Sequence, residues 1–240
     1  MLNLLKVELK VLMKFKPAQW MFFLYPVLGI IIAIIMKIVE SPAFTALIKG
    51  VFLVNMITIA IGSLFIYNDY SQNTIRNKII VGHTRLSVYA SKFAVTFLFF
   101  LACVLMFAIP TIILDAFMIG FKDVVWEAIW KNLIIVFCNI LIYVTLIVFF
   151  TMSIRSVVGA ISPFCTFEFL AVVGTLLLEI LSGDNQELFE FVSAIPSFKA
   201  TMLSANISPT DVGMSCLIAL LSSIFLLAIG YFKFKKDDLN

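Results

Sequence analysis

The chain alternates between long apolar runs and short polar segments, and this pattern predicts a membrane protein built of helices. Each run offers about 20 residues, which at a helical rise of about 1.5 Å per residue matches the ~30 Å hydrocarbon core of a bilayer. We expect six transmembrane helices, at about 18–38, 48–67, 93–115, 131–153, 158–181 and 213–232. Residues 1–240 are predicted to form a single transmembrane domain.

Composition supports this class of protein. Hydrophobic residues make up 62% of the chain and charged residues 13%, whereas soluble domains carry about 25% charged residues. The mean hydropathy is +1.12. The runs are apolar on every face, while the strands of membrane barrels alternate apolar and polar residues. The predicted fold class is therefore an all-α polytopic membrane protein.

Residues 2–16 precede the first run and are predicted to form an amphipathic helix in the membrane interface. Leucines recur there at helical spacing, with lysines on the other side. A basic helix of this kind lies on the membrane surface instead of crossing it. The apolar positions are Leu2, Leu5, Leu9, Leu12 and Met13, and the basic ones are Lys6, Lys10 and Lys14. A simple positively charged anchor is the alternative.

The distribution of charge predicts the orientation. An even number of spans puts both termini on one side, and the positive-inside rule identifies that side. Lysines and arginines concentrate in the N-terminal segment, in 68–92, at Arg155 and in the tail. Both termini are therefore predicted to be cytoplasmic. The outer segment 182–212 is predicted to be structured, with a helix that begins at Ser208 and Pro209.

The polar, basic segment 68–92 joins the second and third runs. Ser71 can cap a short helix over QNTIRNKII, and Gly82 can end it. Thr84 or Ser87 can then begin the helix that leads into the third span. We expect a short cytoplasmic helix that serves as a docking element. An ordinary charged loop that only fixes the topology is the alternative.

This segment resembles the connection between the second and third spans of ABC-2 type transporter permeases. The typical sequence pattern there begins with E-x-x-x-G-T-x-x-x-L. It continues with a break at a small residue, then S-R, and then a Lys before the next span. The corresponding residues here are Asp69, Thr74, Ile75, Arg76, Gly82, Arg85, Ser91 and Lys92. Asn73 stands where Gly is usual and Thr84 where Ser is usual. Asn tolerates left-handed backbone and Thr keeps the hydroxyl group.

In that family the segment is the coupling helix, which docks on a separate ATPase subunit and transmits nucleotide-driven closure to the spans. The resemblance implies the permease subunit of an ATP-driven exporter, with ATP and Mg on the partner. No G-x-x-x-x-G-K-[ST] phosphate loop occurs in this sequence, so ATP hydrolysis is assigned to the partner. The residues expected to couple to the ATPase are Asp69, Thr74, Ile75, Arg76, Lys78, Ile79, Gly82, Arg85 and Arg155.

The resemblance also implies an assembly. Such transporters build one pathway from two six-span bundles, so we expect a homodimer with two ATPase subunits in a bacterial cytoplasmic membrane. Compact permeases of this size resemble exporters of amphipathic peptides such as bacteriocins and toxins, and export of lipids or drugs stays open. Membrane lipids are expected partners, and nucleic acid is not.

Polar residues inside the apolar runs are candidates for a translocation path. They are Asn55, Thr58, Glu168, Thr175 and Glu179. An ionised acid at the centre of a span costs about 3 kcal/mol on insertion scales. Glu168 therefore either attracts a cationic substrate or is neutral and hydrogen-bonded to a neighbouring helix, for example at Asn139.

No catalytic or metal-binding pattern occurs in the sequence. The cysteines all lie inside apolar runs and are interpreted as small hydrophobic residues: Cys103, Cys138, Cys165 and Cys216. We expect no enzyme, no metal and no cofactor in this chain. Two further functions remain as alternatives to the exporter: a proton-coupled carrier that titrates at Glu168, and a non-transporting membrane immunity protein that sequesters a toxin.

Overall fold

The structure, a computed structural model, describes residues 2–38, 45–119, 126–158, 161 and 209–236. Seven helices are defined within these ranges, and no strand occurs among them. In chain order they are α1 (Leu2–Lys14), α2 (Lys16–Ile38), α3 (Thr45–Ser71), α4 (Thr74–Ile80), α5 (Arg85–Ile119), α6 (Trp126–Ile154) and α7 (Pro209–Lys236).

Four of the described helices are long and apolar enough to cross a membrane. The corresponding segments are Lys16–Ile35, Arg85–Leu114, Leu133–Ile154 and Val212–Lys236. Helix α3, which covers the second predicted span 48–67, is not among these four. The fifth predicted span, 158–181, and the outer segment 182–212 fall largely outside the described residues.

The helices form a bundle in which α5 contacts α2, α3 and α6, while α7 packs along α6. Aromatic side chains fill the interior, and the largest that are fully buried are Tyr25, Phe65, Phe99, Phe100, Phe107, Tyr143 and Phe234. Small residues let the helices approach closely, as is common in membranes. At Gly29 a Cβ atom would lie 2.8 Å from the carbonyl oxygen of Phe107, so α2 can pack on α5 only with a glycine there.

Helices continue past the apolar runs at the polar end of the bundle. The second predicted span ended near residue 67, but α3 extends to Ser71. The third was predicted from residue 93, but α5 begins at Arg85 and its 35 residues exceed the hydrocarbon core in length. Polar residues can continue a helix once it leaves the lipid, so hydropathy marks the membrane-embedded part and not the ends of the helix.

Helix α1 packs against α5 and α2 through one face. Leu4, Glu8 and Leu12 are buried on that face, four residues apart. Met13, at the end of the predicted apolar stripe, is exposed. The lysines of α1 lie on the exposed side, as predicted.

Candidate functional site

The segment that joins α3 to α5 folds as a short helix, α4, between two tight turns. Asn73 adopts a left-handed backbone with φ 56° and ψ 19°, which Asn tolerates better than most residues. The predicted cap at Ser71 was wrong, because α4 begins at Thr74 and the hydroxyl of Ser71 donates to the carbonyl of Asn68 at 2.9 Å. The hydroxyl of Thr74 instead donates to the carbonyl of Asp69 at 3.0 Å, which closes the turn.

The second turn follows the prediction. The amide of Gly82 donates to the carbonyl of Ile79, and the amide of His83 donates to that of Lys78. Gly82 has φ +103°, so the end of α4 is a Schellman motif with glycine in its usual place. Thr84 then caps α5, because its Oγ1 accepts a hydrogen bond from the amide of Ser87 at 3.2 Å.

Four charged side chains from four helices meet beneath α4. The ammonium group of Lys78 lies 2.6 Å from Glu8 Oε1 and 2.5 Å from Asp69 Oδ2. The ammonium group of Lys92 lies 2.6 Å from Glu8 Oε2 and 2.5 Å from the same Asp69 oxygen. Acids and bases alternate around this closed arrangement, which we call the charge ring (Glu8, Asp69, Lys78 and Lys92).

The charge ring is buried and electrically balanced. The side chains of Glu8 and Lys92 are 0% exposed, and the ammonium group of Lys92 also lies 4.4 Å from the ring centroid of Phe65. Burying charges is costly, and two acids matched by two bases satisfy one another. Because removal of any one member would leave an unpaired buried charge, the ring fixes α1, α3, α4 and α5 together.

The environment shifts the pKa of two members in the direction that keeps them charged. Burial alone would raise the pKa of Asp69, but the attraction of Lys92 and Lys78 outweighs it and holds that pKa below its ordinary value of 3.8. Burial alone would lower the pKa of Lys78, but Asp69 and Glu8 raise it above 10.5. Both groups are therefore ionised at neutral pH.

The opposite side of α4 is exposed and has a mixed character. Ile75 is buried against the bundle, whereas Arg76, Asn77, Ile80 and Val81 are exposed. These four residues share one side because they lie at helical spacing, and we call them the outward face of α4. Ile80 is 71% exposed and Val81 80% exposed. No described residue makes a hydrogen bond or ion pair with the side chain of Arg76.

A groove of about 220 Å³ lies beside the outward face. Arg155 reaches it from the turn that ends α6, where its backbone is left-handed with φ 55°. Its guanidinium lies 5.7 Å from the ring centroid of Tyr70. The groove is lined by Tyr67, Asp69, Tyr70, Ser71, Asn73, Ile75, Arg76 and Arg155. The structure thus brings Arg76 and Arg155, which are 79 positions apart in the printed numbering, to one surface.

Arg85 lies elsewhere and makes an intramolecular contact. Its Nη1 donates to the carbonyl oxygens of Phe234 and Lys235, at 2.9 and 2.8 Å. These carbonyls belong to the last turn of α7, where a cation is favoured. Arg85 therefore ties the start of α5 to the end of α7.

Two candidate path residues lie inside the bundle. Asn55 and Thr58 are buried on α3. The hydroxyl of Thr58 donates to the carbonyl of Val54 at 2.6 Å and lies 2.7 Å from the hydroxyl of Tyr25 on α2. Thr58 thus takes part in an interhelical hydrogen bond, while Asn55 Oδ1 has no partner among the described residues. Glu168, Thr175 and Glu179 lie outside the described residues.

Metal and disulfide chemistry find no support in the part of the chain that the structure describes. No group of His, Cys, Asp and Glu there could hold a metal ion. The cysteines at 103, 138 and 216 are free thiols, and the sulfur atoms of Cys138 and Cys216 lie 3.1 Å apart between α6 and α7. These three cysteines pack among apolar side chains, as the sequence predicts. Cys165 lies outside the described residues.

Glu8 is the site residue that sequence reasoning missed. The sequence does contain one indication of its role. Glu8 lies four residues from both Leu4 and Leu12, on the face that a helix would bury. An ionised acid on such a face requires a buried cation. The lysines that satisfy it follow 70 and 84 positions later, which no local pattern indicates.

Residues 12–240 match the sequence pattern of a family described as a protein of unknown function. The chain belongs to the DUF2705 family. No curated protein and no solved structure matches it. The matched range includes α2 to α7 and three members of the charge ring, Asp69, Lys78 and Lys92.

Proposed function

We propose that the chain is the membrane-spanning permease subunit of an ATP-driven ABC exporter, and that α4 is its coupling helix. ATP and Mg are then bound by a separate ATPase subunit, and this chain performs no catalysis. The proposal rests on the resemblance of the 68–92 segment to ABC-2 permeases and on the geometry of α4.

The outward face of α4 is the observation that carries the proposal. A surface helix seven residues long exposes Ile80 and Val81 side by side, next to the unpaired guanidinium of Arg76. Because the other side of α4 packs on the bundle through Ile75, this face points away from the bundle. Burying an isoleucine or valine is worth about 1.5 kcal/mol or more, so the face suits a protein partner with an apolar groove and an acidic rim.

The charge ring supplies the connection from that partner to the spans. A displacement of α4 acts directly on Lys78, which is held by Glu8 of α1 and Asp69 of α3. Both carboxylates are also held by Lys92 of α5. The four helices therefore move as one body under a push at α4. Arg85 extends this body to α7.

The assembly that we propose contains six spans per chain, with both termini cytoplasmic, in a bacterial cytoplasmic membrane. Two copies of the chain and two ATPase subunits complete the exporter. The substrate class that we propose is amphipathic peptides or other hydrophobic compounds, which fits an interior rich in phenylalanine.

Affinity capture tests the docking step. The tagged chain is extracted from its native membrane in mild detergent, and the captured proteins are identified by mass spectrometry. We expect an ABC ATPase subunit with the unaltered chain, and at least about tenfold less with Ile80→Asp/Val81→Asp, because two buried apolar contacts are lost. The matched control is Lys235→Asp/Lys236→Asp, which places two aspartates on an exposed part of α7 and should retain the ATPase.

Two outcomes contradict the proposal. Equal capture by both double variants would show that α4 is not the docking element. Capture of no ABC ATPase by the unaltered chain, together with transport that follows a proton gradient in vesicles of the purified chain alone, would establish the carrier instead. If the unaltered chain captures no ABC ATPase and the vesicles show no transport, the immunity protein is favoured.

A further inference from the structure

We propose that the elbow between α1 and α2, residues 13–23, binds the phosphate-bearing headgroup of an anionic phospholipid. This site is independent of α4 and of the proposed export function.

Three hydrogen bonds fix the shape of the elbow. The amide of Phe15 donates to the carbonyl of Leu12 at 3.0 Å, and the amide of Gln19 donates to that of Phe15 at 3.2 Å. The side-chain amide of Gln19 also donates to the carbonyl of Met13 at 2.7 Å and so closes the elbow from the other side. These hydrogen bonds connect the end of α1 to the first turn of α2 within the chain.

An open concavity of about 400 Å³ lies on the α2 side of the elbow and is lined by Lys16, Gln19, Trp20 and Phe23. Trp20 is 70% exposed and Phe23 is 74% exposed. The lining thus combines one ammonium group, one amide and two exposed aromatic rings. Tryptophan beside lysine is typical of the level at which a protein meets lipid headgroups.

The charge around the elbow has one sign. Lys6, Lys10, Lys14 and Lys16 are all exposed, and no described residue forms an ion pair with any of them. Glu8 is the only acid in residues 2–38, and it is buried in the charge ring. The exposed surface of α1 and of the elbow therefore attracts anions, with no acid nearby to oppose them.

The position of the elbow selects a lipid over a soluble anion. Helix α2 can cross a membrane from Lys16 onward, so the elbow lies where the chain enters the bilayer. A headgroup phosphate beside Lys16 would place its acyl chains along Trp20 and Phe23, which lie one and two turns further along α2. A soluble anion would make no contact with either ring.

Quenching of Trp20 by brominated lipids tests the site. Trp126 and Trp130 are replaced by Phe, so that Trp20 is the only indole, and folding is checked by size-exclusion chromatography. The protein is reconstituted with brominated phosphatidylglycerol or brominated phosphatidylcholine, and relative binding constants are taken from the quenching curves. We expect a preference for phosphatidylglycerol that falls about fivefold in Lys16→Gln and further in Lys14→Gln/Lys16→Gln.

Matched variants decide the outcome. Lys16→Arg should keep the preference, and Lys235→Gln/Lys236→Gln, which removes two exposed charges from α7, should leave it unchanged. Equal quenching by the two lipids, or a preference that survives in Lys14→Gln/Lys16→Gln, would overturn the proposal. Loss of the preference on addition of free inorganic phosphate would also overturn it, since the site would then bind the soluble anion.

Discussion

The two faces of α4 carry similar kinds of residue but lie in opposite surroundings. The inward face presents Ile75 and Lys78 to the bundle, where Lys78 is enclosed by two carboxylates. The outward face presents Ile80 and Arg76 to the exterior, where neither is covered by a described residue. One face of this seven-residue helix thus has its apolar and charged side chains packed or paired within the chain, whereas the other face does not. The difference separates residues that hold α4 in place from residues available to a partner.

The largest expected effect comes from breaking the inward side. In Lys92→Met, Glu8 and Asp69 each lose a buried cation, so we expect the free energy of unfolding to fall by about 3–5 kcal/mol. Survival after heating, followed by fluorescence-detected size exclusion, measures the change. The matched variant Lys10→Met alters an exposed lysine and should shift stability by less than about 0.5 kcal/mol.

A double variant separates the ring from ordinary packing. Glu8→Gln/Lys92→Met removes one acid and one base together, so the loss should be smaller than the sum of the two single losses. Additive losses would mean that the two side chains do not interact in the folded protein.

The arginines of the segment provide the next contrast. Arg85→Gln loses charged hydrogen bonds to two carbonyls at the end of α7, so we expect a loss of stability of about 1.5–3 kcal/mol. Arg76→Gln should leave stability unchanged, because no described residue pairs with its side chain. Equal destabilisation by the two variants would contradict the division between inward and outward residues.

A smaller effect is expected at the turn that ends α4. Gly82→Ala places a side chain at φ +103°, which L residues rarely adopt, so we expect a loss of about 1–2 kcal/mol. Gly213→Ala is the matched control, since neither glycine has a neighbour within 4 Å of an added Cβ. Gly213 lies in a helix, where alanine is favoured. Thermal stability should therefore fall in the first variant only.

The smallest effect within the usual pH range is the titration of Asp69 and Lys78. The pKa of Asp69 is lowered by folding, so its contribution is complete above about pH 3.8 and is lost as the pH falls through the folded value. The pKa of Lys78 is raised, so its contribution is complete below about pH 10.5 and is lost as the pH rises through its folded value. The combined contribution of Asp69 and Lys78 to stability should therefore be flat between about pH 5 and about pH 9. In Asp69→Asn the acid-side loss should be weaker, and thermal stability against pH measures both.

Local chemistry was predictable from the sequence. The end of α4 at Gly82 and the cap at Thr84 each depend on residues within one turn of each other. The tolerance of Asn73 for left-handed backbone is likewise a property of a single residue. The four helices that can cross a membrane were predicted for a similar reason, since hydropathy is a property of each run. Their ends were less accurate, because polar residues such as Asp69 continue a helix outside the lipid.

The roles of the charged residues were not predictable in the same way. Arg76, Lys78, Arg85 and Lys92 formed one basic group in the sequence, but the structure puts them in three environments. Lys78 and Lys92 pair with Glu8 of a distant helix, and Arg85 contacts the last turn of α7. Only tertiary packing brings these partners together, so no spacing rule could separate the group.

Photo-crosslinking in native membranes tests the outward face most directly. A benzoylphenylalanine at position 81, in place of Val81, should crosslink to an ABC ATPase subunit. The same group at position 98, in place of the exposed Leu98 of α5, should not. A crosslink at 81 to lipid alone, or ATPase crosslinks of equal yield at both positions, would contradict the assignment of α4 as the helix through which this chain is driven.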